Sequence, residues 1–258
     1  MAGGRKRLDQ RVVEAGLAES RSRARALIMA GRVRVDDRPV DKPGAPVAES
    51  AALTLAGEEA PYVSRGGLKL EAALREWDIP VAGARCLDVG ASTGGFTDCL
   101  LRHGAGHVHA VDVGYGQLAW SLRTDDRVTP MERTNIRYLV PDALPHPVDL
   151  AAIDTSFISL RIVFPAILPF LSDSASILAL IKPQFEVGKG QVGKGGVVRD
   201  PAQHEAVIAA LTEFFDTLGW RRRGLIPSPI LGPKGNREFI IHLAPWKKPG
   251  EPEDGAGF

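Results

Sequence analysis

Sulfur is scarce in this chain. Of its 258 residues, two are cysteine, Cys86 and Cys99, and three are methionine. Both cysteines lie in apolar surroundings and form neither a disulfide framework nor a zinc-type spacing. They are expected to pack in the core of a protein from a reducing compartment, the cytoplasm, with no metal site. Long hydrophobic runs are missing too. No stretch approaches the ~18–20 apolar residues of a membrane span. The basic start, Met1 to Arg7, is not followed by the apolar segment of a signal peptide. Aromatic residues make up 6% of the chain and none precedes Tyr62, so the first part of the chain has no stacking platform for single strands. Net charge is also nearly absent, at +1.

What is present is ordinary for a soluble globular protein, with 44% hydrophobic residues and room for one large or two unequal domains. The small net charge hides an asymmetry. From Arg5 to Arg38 there are ten Arg/Lys against five Asp/Glu, a local +5, which leaves the rest near −4. A basic module on a near-neutral body suits a polyanionic partner, although a solvated basic face has the same composition. Leu8, Val12 and Val13 share one helical face that Gly16 stops. Ser20 or Ser22 can cap a second helix, Arg21 to Ala30, ending at Gly31. Arg32 to Val40 then reads as a strand, an acidic turn and a return strand. A Pro-dotted loop, Asp41 to Pro46, precedes a last short strand at Leu53–Leu55. This helix-then-hairpin unit resembles the S4 RNA-binding domain, notably in Arg-Leu-Asp at 7–9, Ser-Arg-Ser-Arg-Ala at 20–24 and Gly-Arg-Val-Arg-Val at 31–35. The resemblance implies RNA contacts from Arg5, Arg7, Arg21, Arg23, Arg25, Arg32 and Arg34. Long guanidinium side chains suit the phosphates and exposed bases of structured RNA.

The boundaries follow from composition. Residues 5–60 form the basic module, 61–63 a linker, 64–245 a larger α/β domain, and 246–258 a Pro/Gly/Glu-rich tail expected to be disordered. In the larger domain Ser64 is expected to cap a helix running from Gly66 to about Trp77. Strands at 85–89, 107–112, 128–131, 149–154, 176–182, 222–228 and 237–243 alternate with helices, which argues for a parallel sheet. The last two strands are expected to pair antiparallel. The clearest helix is Pro201–Leu218, with Asp200 as cap and Pro201 in its first turn.

The stretch from Cys86 to Thr97 organises this domain. An apolar strand ends at Asp88, and Gly90-Ala91-Ser92-Thr93-Gly94-Gly95 lead into a helix at Phe96. A dinucleotide fingerprint wants glycine where Ser92 stands. The Asp-x-Gly-x-x-x-Gly form instead resembles the first motif of S-adenosylmethionine (SAM) methyltransferases. In that reading the N–H groups of the turn hold the carboxylate of SAM and Asp88 holds its ammonium. Asp112, at the end of the second strand, can accept both ribose hydroxyls of the adenosine, and Asn135 is expected near the adenine.

Charged residues close other apolar strands: Asp154 after Leu150–Ile153, Lys182 after Ile177–Ile181, and Glu238 before Phe239. Each alone is more often an ordinary ion pair. With Lys69 on the helix before the first strand, they resemble the Lys-Asp-Lys-Glu set of the FtsJ-like ribose 2′-O-methyltransferases. Together with the basic module, the chain resembles the hemolysin-A type (TlyA family) of ribosomal RNA 2′-O-methyltransferases over about residues 5–243. The resemblance implies a seven-stranded Rossmann-like sheet and SAM as methyl donor. It also implies cytidine 2′-O-methylation in small and possibly large ribosomal subunits, with no obligate protein partner. Lysine in a partly dry site can take a proton or steer a hydroxyl lone pair, a role expected of Lys182. Asp154 and Glu238 would orient the lysines, and Lys69 would position substrate or stabilise the developing alkoxide.

Two motifs mislead. Gly188 to Gly195 nearly spells a P-loop, but position 195 is Gly where a hydroxyl is needed. The segment reads instead as a basic loop whose Lys189 and Lys194 can meet RNA. Asp154-Thr155-Ser156-Phe157 stands where base N-methyltransferases carry two prolines, so base methylation is the rival chemistry. A ribosome-binding protein without catalysis and a membrane-lytic hemolysin are the non-enzymatic alternatives.

Overall fold

The computed structural model describes residues 4–36, 38–55, 61–188, 190–193 and 195–246. Two compact units divide at Ala60 and Pro61.

In the first unit, β1 (Arg5–Arg7) runs directly into α1 (Leu8–Glu14). It is followed by α2 (Arg21–Met29), β2 (Val33–Val35), β3 (Arg38–Pro39), β4 (Pro46–Ala48) and β5 (Leu53–Leu55). Ser20 caps α2, its Oγ accepting from Arg23 N at 3.2 Å, as its residue type favours. Leu8, Val12, Ala24, Leu27, Ile28, Val33 and Val47 form the core. β2 pairs antiparallel with β3 and β5, and β1 pairs antiparallel with β4. Two short strands thus stand where the sequence reading has a basic start and a Pro-dotted loop. Pro46 opens a strand without breaking a ladder, because its missing N–H is tolerated at a first strand residue.

The second unit begins with α3 (Gly66–Glu76). Its N-cap is Arg65, and Ser64 contributes a long contact to Gly66 N at 3.3 Å instead of a true cap. Next come β6 (Arg85–Val89), α4 (Gly95–Arg102), β7 (His107–Val111), α5 (Trp120–Arg123), β8 (Val128–Met131) and β9 (Val148–Ile153). They are followed by α6 (Leu160–Ile167), β10 (Leu171–Ile181), α7 (Pro183–Glu186), α8 (Pro201–Thr217), β11 (Trp220–Pro227) and β12 (Phe239–Pro245). The sheet order is β11-β12-β10-β9-β6-β7-β8, with β12 antiparallel to both its neighbours and the other pairs parallel. This is the expected α/β Rossmann-like sheet of seven strands.

Period-two alternation makes it a three-layer structure. In β10, Ile177, Ala179 and Ile181 face a core shared with Phe164 of α6 and Phe215 of α8. Leu178 and Leu180 face the other, shared with Leu70 and Leu74 of α3 and Leu100 of α4. Cys86 and Cys99 are free thiols buried in this second core. The edge strand β11 carries Arg221, Arg222 and Arg223, all exposed, a charged guard against edge pairing.

One carboxylate lies inside this packing. Asp88 is fully buried, and its Oδ2 accepts from Thr97 Oγ1 of α4 at 2.7 Å. Its Oδ1 has no hydrogen-bond partner among the described residues. Burial pushes the carboxyl up to about 7, against the Thr97 hydroxyl that favours the charged form. An unfolded aspartate titrates near ~3.9. Between these values the native state keeps a proton that the unfolded chain has released. The stability linked to this group is therefore present at low pH and lost as pH rises toward 7. Asp88→Asn keeps the shape and cannot ionise. Its stability relative to the parent chain should grow from pH 4 to 7, reaching on the order of 1–3 kcal/mol. Thermal unfolding at stepped pH checks this, and a difference that stays constant would mean that Asp88 is already charged at pH 4.

Candidate active site

The sheet reverses its winding between β6 and β9, and open α/β sheets bind ligands in the crevice at such a point. Val89 pairs with Ile153, so Gly90 and Asp154 emerge side by side, with Asp154 N donating to Val89 O at 2.9 Å. Gly90 has φ +90°, and a Cβ there would meet Asp154 O at 2.6 Å. Only glycine fits both demands.

The turn is more self-contained than its residue types suggest. Gly90 N and Ala91 N donate to Val111 O, Ser92 N to Asp112 Oδ2 at 2.8 Å, and Gly94 N to Ala91 O. Four of the N–H groups expected to hold a carboxylate are thus committed within the protein. Free donors lie one step further on, in the first turn of α4, where Gly95 and Phe96 have no intrahelical partner to donate to. Asp88 is placed beneath the turn, sealed against Thr97, and does not line the cavity. Asp112 stands beside the turn, both oxygens accepting from backbone, Ser92 N and Gly114 N. A carboxylate has about four lone-pair sites, so it can still receive a diol. Asn135 accepts from Arg137 N at 3.1 Å and caps a 3-10 turn over 136–138.

A cavity of about 550 Å³ opens above the turn. Its wall includes Lys69, Gly90 to Thr93, Gly95, Phe96, Asp154 and the segment 230–233. The residues fit the amino-acid end of SAM, with first-turn N–H groups for its carboxylate and glycines that let the backbone approach.

The four strand-end and helix residues meet here as two ion pairs. Lys69 Nζ donates to Glu238 Oε2 at 2.6 Å, and Lys182 Nζ lies 2.5 Å from Asp154 Oδ1. Lys69, Lys182 and Glu238 are buried. Register explains the convergence, since Ile181 pairs with Phe239, which sets Lys182 beside Glu238 at the same level of the sheet. Lys69 arrives from α3 because Gly95 has no Cβ. One there would lie 2.2 Å from Ser64 Oγ and 2.9 Å from Gly67 N, forcing the starts of α3 and α4 apart. Glu238 Oε1 has no hydrogen-bond partner among the described residues, and a Cβ on Gly232 would meet it at 2.1 Å.

Two features escaped sequence reasoning. Asn236, 3% exposed, accepts from Val198 N at 3.1 Å and donates to Gly196 O and Pro233 O, both at 3.0 Å. It clasps the end of the glycine-rich loop to the segment just before Glu238. Lys189 and Lys194 of that loop lie outside the described residues. Ser156 Oγ accepts from Lys182 Nζ at 2.9 Å. Beside it Phe157 is 89% exposed at φ +64°, its ring 5.1 Å from that of Phe185.

In the first unit, the arginines divide into two kinds. Asp9, buried, holds Arg7 Nε and Arg21 Nη2, each at 3.1 Å. The Arg7 guanidinium, and after it Arg21, hold this carboxyl down to about 2 against the cost of burial. Arg23 and Arg25 are exposed and make no ion pair among the described residues. Arg5 and Arg34 are also exposed, and Arg32 is half-buried.

Comparison with known proteins agrees with this geometry. Residues 62–244 match the FtsJ-like methyltransferase family model and residues 6–53 the S4 domain model. A Mycobacterium tuberculosis protein named 16S/23S rRNA (cytidine-2′-O)-methyltransferase TlyA is 52% identical over 93% of this chain and 90% of its own length. A Bacillus subtilis protein named as a candidate rRNA methyltransferase is 48% identical over 99% of this chain and 90% of its own. A solved Streptococcus thermophilus structure described as a candidate hemolysin superposes with a TM-score of 0.75 at 45% identity, covering 96% of this chain and 91% of that one. The chain is an enzyme of the FtsJ-like methyltransferase family that carries an N-terminal S4 domain.

Proposed function

We propose that this enzyme methylates the ribose 2′-oxygen of cytidine in ribosomal RNA, within small and possibly large subunits in the cytoplasm, using SAM. The observation that carries this is the pair of lysine–carboxylate contacts beside the glycine turn, each of which contributes one residue, Lys69 or Asp154, to the wall of one cavity. SAM supplies a methyl group already activated by its sulfonium. The chain therefore has two tasks: to hold a ribose hydroxyl in line with that methyl and to help its proton leave.

Lys182 is the proton acceptor in this proposal, and Asp154 holds its Nζ. Lys69, held by Glu238, offers a positive charge to the oxygen as it becomes negative. No step needs a metal, and among the described residues no group of three or more His, Cys, Asp or Glu could hold one. The relative's name supports cytidine and both ribosomal RNAs. No helix among the described residues is long and apolar enough to cross a membrane.

The arginines of the S4 domain supply the RNA grip. Arg7 and Arg21 share their charge with Asp9, so Arg23 and Arg25 are the freer phosphate contacts. Replacing both with Glu should weaken subunit binding at least tenfold and flatten its salt dependence by about two log units per log unit of salt. SAM affinity should be unchanged. Filter binding to purified subunits over a salt series measures the effect, and an unchanged slope would move the grip elsewhere.

The chemistry is tested with tritiated SAM and purified subunits. Digestion of the product should yield an alkali-resistant dinucleotide, the mark of a methylated ribose. A methylated base would instead establish the rival reaction. Lys182→Ala should lower the single-turnover rate by about 10²–10⁴ with SAM affinity intact. Full activity in that variant would remove Lys182 from the chemistry.

A further inference from the structure

The two lysines of the site are not equivalent. Among the described residues, Lys69 Nζ has one polar partner, Glu238 Oε2. Lys182 Nζ has two: Asp154 Oδ1 at 2.5 Å and Ser156 Oγ at 2.9 Å. Both partners of Lys182 come from one segment, the three residues that follow β9. Ser156 is itself exposed, so its side chain has no packing duty there.

We infer that Ser156 is a positioning residue for methyl transfer, and that it aims the lone pair of Lys182 at the ribose hydroxyl. This rests on Lys182 being the proton acceptor. An uncharged lysine amine has two N–H bonds and one lone pair. With a single acceptor the amine can swing about that contact, and the lone pair sweeps a cone. With an ion pair to the carboxylate on one side and a hydrogen bond to the hydroxyl on the other, the amine is held at two points and its remaining direction is fixed.

A second carboxylate in place of the hydroxyl would add to the hold that Asp154 already has on the charged form, which has no lone pair to offer. A serine oxygen is a neutral acceptor and fixes direction without adding charge. Proline, the residue of base N-methyltransferases at this place, can accept nothing through its side chain. The Asp154-Thr155-Ser156-Phe157 segment thereby gains a chemical purpose distinct from holding a base amino group. Among the described residues Lys69 has no second acceptor, which fits a residue that serves as a charge and needs no directed lone pair.

The experiment compares Ser156→Ala, Ser156→Thr and Lys182→Ala in the full-length chain. Single-turnover methyl transfer to purified subunits gives the rate, steady state gives KM for subunits, and titration calorimetry gives SAM affinity. Ser156→Ala should slow transfer about tenfold, the scale of a misaimed acid–base group. KM and SAM affinity should stay within about twofold, a split that general damage to the fold would not produce. Ser156→Thr keeps the hydroxyl and should recover to within about threefold of the parent rate.

A parent-like rate in Ser156→Ala would overturn the inference. So would a loss confined to KM or SAM affinity, or a Thr variant as slow as the Ala one. Lys182→Ala separates the two levels. If it is inactive while Ser156→Ala is not, only the positioning role fails. If it transfers methyl at the parent rate, the assignment of Lys182 fails and the role of Ser156 falls with it.

Discussion

A charge at the end of an apolar strand must find a partner before it can be covered, because an unpaired buried ion costs several kcal/mol. β9, β10 and β12 place Asp154, Lys182 and Glu238 at neighbouring strand ends. Two carboxylates and one ammonium cannot be buried together at that price, so a fourth residue is required. α3 brings Lys69. Its approach depends on backbone that carries no side chain: Gly95 where α3 meets α4, and Gly232 against Glu238. Losing either partner of a pair strands the other, so the site and the docking of α3 hold or fail together. Replacing such pairs by apolar residues is often neutral for stability. Their presence is better explained by chemistry than by folding.

The S4 domain shows the same rule turned to another use. Asp9 is buried in the first turn of α1, and its charge is carried by Arg7 and Arg21 reaching in from the surface. Part of the basic composition that marks a polyanion-binding module is therefore internal scaffolding. A count of arginines overstates the free charge on that face, and the order in α2 shows which remain. Arg21 turns to Asp9, whereas Arg23 and Arg25 stay in solvent.

Much of this was legible in the sequence because apolar runs ending in glycine or a charge leave few alternatives. The seven strands, the capped α8 and the four ionic residues were all visible in that way. What stayed hidden depends on direction. Period-two alternation puts Asp88 on a face of β6, yet it does not say whether that face opens to a ligand or closes on Thr97. A glycine-rich turn advertises N–H groups, but Val111 and Asp112 use most of them, and both lie far along the chain. β1 and β4 exist only through each other, three residues against three, with no pattern of their own. Asn236 and Ser156 are single polar residues in loops, and their meaning lies in partners 38 and 26 residues away.

The committed turn and the sealed aspartate belong to one design. With four of its N–H groups spent internally, the turn leaves the first N–H groups of α4 as the donors that remain at this positive helix end. Asp88 sits directly behind that start, bonded to Thr97 in the first turn of α4. A full negative charge there would compete with the ligand for the same positive helix end. Burial opposes that charge, pushing the carboxyl up to about 7. Below neutral pH the protonated form dominates and adds no negative charge at the helix end. Burying this group therefore gives up stability as pH rises toward 7 and leaves a helix start without a fixed negative charge below that pH.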